Sequence, residues 1–228
     1  MGDVERHAVR IERSRGHAVT LRAVRVYYRP GSGRPVRVAW LLEEMELRYE
    51  TVAVSREEPA HLERHPLGLV PVLETESGFL FESTAICLAL ADEHPDRGLL
   101  PAVGSHERAL AYQWTLFAMT EIEPPFLEYG RNVERDPARA AAGADAFHAC
   151  ASVLEQALSE QEFLVAERLT VADIVAGGVL GLAMRRKLLP ADDLPHVGAY
   201  MGRLTARPAF ARAARATESS LLDLLPSS

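Results

Sequence analysis

The segment His65-Pro66-Leu67-Gly68-Leu69-Val70-Pro71-Val72-Leu73, followed by Phe81-Glu82-Ser83-Thr84-Ala85-Ile86, constrains this chain more than any other stretch. Pro71 stands between two valines in an apolar, β-branched run. Proline cannot donate to a strand ladder, which excludes it from the middle of a central strand. It suits the first residue of a strand, or a cis peptide in a tight bend that leaves neighbouring backbone groups unpaired. Ser77-Gly78 then reads as a turn, and Glu82-Ser83 opens an apolar helical run. The segment predicts a bend, a hairpin and a helix start close together.

Strands and helices alternate around it. Residues 23–28 alternate and are rich in valine and tyrosine, which predicts a strand, and Arg29-Pro30-Gly31-Ser32-Gly33 ends it. From Arg34 the pattern turns helical, with Val38, Leu41, Leu42 and Met45 on one face. Residues 49–54 predict a second strand, and Pro59 and Pro66 bracket a short helical stretch. Residues 70–74 and 79–81 make a hairpin, and residues 83–93 a helix. The order β-α-β-α-β-β-α predicts an α/β, thioredoxin-like domain with a mixed four-stranded sheet over residues 23–94.

Prolines, glycines and charges mark residues 95–105 as a linker. Beyond it, residues 107–129, 137–163, 171–188 and 194–207 are helical runs, and a fifth follows Pro208. They predict an all-α, helical bundle domain over residues 106–228. Thr170 and Asp173 have capping-box spacing, and Gly177, Gly178 and Gly181 in the helix behind them permit close packing. Residues 1–22 form an arginine-containing polar extension without the apolar core of a secretory signal, read as flexible.

The bulk properties exclude several function classes. A formal net charge of -7 argues against a nucleic-acid partner. No apolar run approaches the length needed to span a bilayer, so no membrane role is expected. Cys87 and Cys150, the only cysteines, sit in apolar helical runs and read as reduced thiols of a cytoplasmic protein.

The combination of Val70-Pro71 with Glu82-Ser83 resembles the glutathione-binding half of the glutathione transferase family, and the likeness extends over roughly residues 22 to 220. It implies that glutathione is the co-substrate, held along Val70 and Pro71 as a short added strand. It also implies that Ser83 receives the γ-glutamyl carboxylate at a helix start and Glu82 accepts from the γ-glutamyl ammonium. Arg34 would supply a polar group toward the glycine end, where Leu69 replaces the lysine or glutamine of many relatives. No metal is implied. A homodimer is, as is a second-substrate pocket for a small hydrophobic electrophile formed by Phe117, Thr120 and Glu121. Relatives of the beta class carry a histidine near position 123, and this chain has Glu123 there.

Activating the thiol is the chemical requirement. A free thiol with a pKa of about 8.5 is mostly protonated at neutral pH. Lowering that value by about two units takes roughly 2.7 kcal/mol of preference for the anion. A hydroxyl donor close to a helix N-terminus supplies a hydrogen bond and a favourable dipole. Ser32 is the one serine or threonine in the loop before the first helix. The similar helix of bacterial relatives places their serine or cysteine at Gly33, one residue later, so Arg34 with backbone amides, or Tyr28, are alternative donors. The resulting expectation is an enzyme that adds glutathione to an electrophile. A non-catalytic binding module on the same fold is the alternative, favoured by Gly33 and Leu69.

Overall fold

The computed structural model describes residues 24–189 and 193–225; the polar extension lies outside them. Strands β1 (Arg25–Tyr28), β2 (Glu50–Ala53), β3 (Val72–Thr75) and β4 (Gly78–Phe81) form one sheet in the order β2-β1-β3-β4. β1 and β2 are parallel, while β3 is antiparallel to both β1 and β4. The mixed sheet, with a helical crossover between its two parallel strands, is that of a thioredoxin-like unit.

Helices α1 (Pro35–Glu44), α2 (Pro59–Arg64) and α3 (Ser83–Glu93) belong to this unit. β3 begins two residues later than expected, at Val72, because the Val70-Pro71 peptide is cis and cannot enter the ladder. The hairpin turn is Glu76-Ser77, and Gly78 becomes the first residue of β4 with φ +122°. The Thr75 hydroxyl braces the turn, accepting from the Ser77 amide at 3.2 Å.

The helical part comprises α4 (His106–Phe117), α5 (Glu123–Asn132), α6 (Pro137–Ala157), α7 (Val171–Arg185), α8 (Pro195–Thr205) and α9 (Pro208–Ala216). Several end short of their sequence patterns; α6, for instance, stops at Ala157. The first run is interrupted by a single wide π turn, Ala118–Ile122, between α4 and α5. Pro124 and Pro125 cannot donate to carbonyls one turn back, and the wide turn re-phases the chain so that they sit at the start of α5.

α7 is the buried axis of the molecule, and its glycines receive specific neighbours. A Cβ at Gly177 would lie 2.7 Å from Leu204, and one at Gly178 only 2.7 Å from Nε of Arg37. At its start the Asp173 carboxylate accepts from the amides of Leu164 (2.8 Å) and Thr170 (2.7 Å) and from the hydroxyls of Thr170 (2.9 Å) and Tyr200 (3.1 Å). Two further clamps join α1 to the end of the chain: Arg207 grips Glu44 at 2.6 and 2.7 Å, and Trp40 packs edge-on to Phe210. The loop at Ser32 is anchored against the helical part by the Gly31 amide, which donates to the Glu218 carbonyl at 2.8 Å.

Candidate functional site

The cis bend, the start of α3 and the loop before α1 converge on a cleft of about 230 Å³. Ser32, Arg34, Val70, Pro71, Glu82 and Ser83 all line it. Larger cavities of about 540 and 530 Å³ lie along α5. The smaller cleft is singled out by its polar groups and free backbone, which suit a short peptide.

The backbone is prepared for such a ligand. Among the described residues, no hydrogen bond engages the amide or carbonyl of Val70. The preceding carbonyl, of Leu69, is held by the His61 ring at 3.0 Å. Gly68 has φ +60°, and a Cβ there would lie 2.3 Å from the Arg56 carbonyl oxygen, so the chain enters the bend through the one residue that fits. Glu82, at the helix N-cap position, has φ +71°, a conformation unusual for a non-glycine residue. Its side chain does not cap the helix and remains exposed at the cleft.

Ser83 is 2% exposed, at the first position of α3. Behind it lies Arg37, which is wholly buried and donates to the Ser83 hydroxyl oxygen at 3.3 Å. A guanidinium has no acceptor. Ser83 must therefore accept from it, and its own O–H is free to donate into the cleft. Arg37 also donates to Oε1 of Glu123 at 2.9 Å, and Arg34 holds both oxygens of the same carboxylate, Oε2 at 2.7 Å and Oε1 at 3.2 Å. Burial pushes the Glu123 carboxyl up, but the combined pull of the two arginines outweighs it and the net shift is downward. Two guanidiniums and one carboxylate leave a net positive charge beneath the cleft.

Each expected site residue has a definite place. Ser32 is half-buried on the cleft wall, with its amide donating to the Arg29 carbonyl at 3.0 Å. Arg34 is occupied by Glu123, so it presents an ion pair to the cleft rather than an unengaged cation. The Tyr28 hydroxyl is turned to Glu218, away from the role of thiol donor. Gly33 is set by packing: a Cβ there would come within 2.5 Å of Leu182. Phe117, Thr120 and Glu121 are not brought to the cleft: Phe117 packs edge-on to Trp114, while Thr120 and Glu121 are exposed and bonded to each other at 3.1 Å. The π turn instead sends Met119 and Glu123 to the cleft.

Sequence reasoning missed Arg29, Arg37, His65 and Met119. His65 stands inside the opening motif, but nothing local distinguishes it from a loop histidine. In the fold it is buried against Phe81, its ring nitrogen Nδ1 accepts from the Leu67 amide at 3.1 Å, and burial lowers its pKa. With Nδ1 accepting, a neutral ring carries its proton on Nε2, and His65 lines the cleft. Arg37 was hidden inside an apolar helix face, and Gly178, far along the chain, makes the room for it.

A thioredoxin-like sheet with a cis-proline cleft, packed on a helical bundle, defines a class of two-part proteins. Residues 22–92 match the family described as "Glutathione S-transferase, N-terminal domain", and residues 110–208 match "Glutathione S-transferase, C-terminal domain". Glutathione S-transferase 4 of Zea mays is 30% identical over 209 residues, 85% of this chain and 92% of that protein. Elongation factor 1-gamma of Prunus avium is 30% identical over 168 residues, 70% of this chain but 39% of that protein. A solved sphingomonad glutathione S-transferase complexed with glutathione superposes with a TM-score of 0.75 at 28% identity, covering 85% of this chain and 98% of that one. The chain belongs to the glutathione S-transferase family. Among the described residues no helix is long and apolar enough to cross a membrane.

Proposed function

We propose that the protein binds glutathione in the cis-proline cleft, favours its thiolate and adds it to an electrophilic carbon. The observation that carries this reading is the convergence of Ser32, Val70, Pro71, Glu82 and Ser83 on one peptide-sized cleft. In it, the cysteinyl backbone of glutathione pairs with Val70 as a short antiparallel strand. The γ-glutamyl carboxylate takes the Ser83 hydroxyl and the first amides of α3, backed by the positive charge of Arg37. Glu82 accepts from the ammonium, and Arg29 with Nε2–H of His65 faces the glycine carboxylate in place of the residue lost at Leu69. The sulfur then lies at Ser32, whose hydroxyl donates to the thiolate. Rate gain comes from holding thiolate and electrophile together and from stabilising the anion before reaction. A cytoplasmic homodimer belongs to this reading, supported by the family relationship, two free thiols and the exposed apolar residues Phe79, Leu80 and Phe81 of β4.

A non-catalytic module is the second reading. It is favoured by Gly33, which leaves no side chain at the position where relatives carry a thiol-activating group, and by the likeness to elongation factor 1-gamma. Calorimetric glutathione binding combined with conjugation of 1-chloro-2,4-dinitrobenzene separates the two. The transferase reading expects binding, turnover and a fall in turnover of about tenfold or more in Ser32→Ala, the loss of one anion-stabilising donor. Binding without turnover supports the module. Unchanged binding in Ser83→Ala and Glu82→Ala refutes the site itself.

A further inference from the structure

Beyond Ser32 the cleft opens into a second compartment. The Gly31–Arg34 loop forms one wall of a cavity of about 190 Å³, and Phe126, Leu182, Arg185 and Arg186 form the other; Glu123 also lines it, its charge met by Arg34 and Arg37. Arg186 is also in the wall of the adjoining cavity of about 540 Å³, beside Arg131, Arg135 and Glu134. Three guanidiniums there face one carboxylate, in a chain whose formal net charge is -7. Among the described residues none of the three takes part in an ion pair, whereas Arg185 pairs loosely with Asp223 at 3.7 Å and Arg139 with Glu128.

Arg186 has a built seat. Its guanidinium carbon lies 5.3 Å from the centre of the Phe126 ring, within range of a cation–π contact. On the other side it lies across α5 at Gly130, where a Cβ would come within 1.8 Å of Nη1. A cation that only complemented the C-terminus of α7 would need neither the ring nor the glycine, and Arg185 already supplies that charge. A guanidinium stacked by its face keeps its N–H edge for an anion, and that edge matches a carboxylate, sulfonate or phosphate in bidentate fashion.

We propose that the electrophile which meets the glutathione thiolate is anionic, with its reactive carbon at Ser32 and its oxyanion held by Arg186. Arg131 and Arg135 add attraction from the adjoining cavity. This rests on the transferase reading, and it moves the second-substrate pocket from Phe117, Thr120 and Glu121 to the space between the Ser32 loop, α5 and α7. With a chloronitrobenzoate, the sulfur electron pair forms the C–S bond at the chlorine-bearing carbon. The C–Cl pair leaves with chloride, and the thiol proton passes to solvent.

The test is calorimetric binding of three probes to the full chain: glutathione, S-(4-carboxy-2-nitrophenyl)glutathione, and the methyl ester of that conjugate's benzoate group. Wild type is expected to bind the carboxylate conjugate about tenfold more tightly than the ester, as a charged hydrogen-bonded pair warrants. That preference should shrink with added salt, and in Arg186→Gln it should fall to within about twofold. Gly130→Ala should do the same by displacing the guanidinium, in a substitution that favours the helix and so does not act by unfolding it. If glutathione binds and the two conjugates bind equally, the anionic pocket is overturned alone. A preference that persists in both variants overturns Arg186 as the anchor. If none of the probes binds, the transferase reading falls and this inference falls with it.

Discussion

Substituting Glu123 by glutamine tests the charge arrangement beneath the cleft, and the structure sets an order of effects for its three members. Arg37 is 0% exposed and Glu123 is its only carboxylate partner among the described residues. Glu123→Gln therefore leaves a buried guanidinium uncompensated, which costs about 3–5 kcal/mol. Arg37→Met leaves Glu123 still held by both nitrogens of Arg34, so its cost is smaller, about 1–2 kcal/mol. The Arg34 side chain is 40% exposed and screened by water, so Arg34→Gln costs under about 1 kcal/mol. For a chain of this length, thermal midpoints move by about 2–4 °C per kcal/mol, so Glu123→Gln should lower Tm by about 10 °C. The double variant Arg37→Met/Glu123→Gln removes the stranded charge and should be more stable than Glu123→Gln alone. The Glu123 carboxyl is shifted downward in the folded state. Its stabilisation is thus complete above the ordinary carboxylate range and is lost as pH falls through the folded value. Urea titrations of the four variants between pH 7 and 3 read both effects: the variant order at neutral pH, and a shallower acid decline wherever Glu123 is absent. An Arg34→Gln variant as damaged as Glu123→Gln would refute the reasoning, because it would place the charge balance at the surface instead of at Arg37.

Three other outcomes follow from the packing. Gly68→Ala, with φ +60° and a carbonyl oxygen 2.3 Å from the added methyl group, should destabilise by about 2 kcal/mol or more and weaken glutathione binding through the Val70 backbone, as urea midpoints and calorimetry would show. Asp173→Ala should cost about 3 kcal/mol or more because it strands several buried donors, against about 1 kcal/mol for Thr170→Ala, a difference that chemical denaturation resolves. Burial pushes the Cys87 thiol up to about 12, so a disulfide reagent should titrate at most Cys150 in the native protein and both thiols after unfolding.

The course of strands and helices was legible because the signals are local. Alternation marked β1, helical spacing marked α1, and Pro71 left a strand start or a cis bend, of which the fold takes the cis bend. The start of α3 at Glu82-Ser83 was readable for the same reason, as was the cap of α7 at Thr170 and Asp173. Phe117, Thr120 and Glu121 were grouped by helical spacing on one face, and the structure does not bring them to the cleft wall. A single π turn, Ala118–Ile122, changes which face meets the cleft, and a regular helical spacing carried through it does not show the change of phase.

What the sequence by itself determined is the family, the order of elements and the part of the cleft lined by Val70, Pro71, Glu82 and Ser83, since these rest on turn chemistry, periodicity and one proline within a short stretch of chain. Tertiary structure alone decided the electrostatics. It placed Arg37 under Ser83 through a glycine at position 178, tied Arg34 to Glu123, filled the space at Gly33 with Leu182, and seated Arg186 between Phe126 and Gly130. A buried charge takes its meaning from groups remote in sequence that share its low-dielectric surroundings, and only folding brings those groups together.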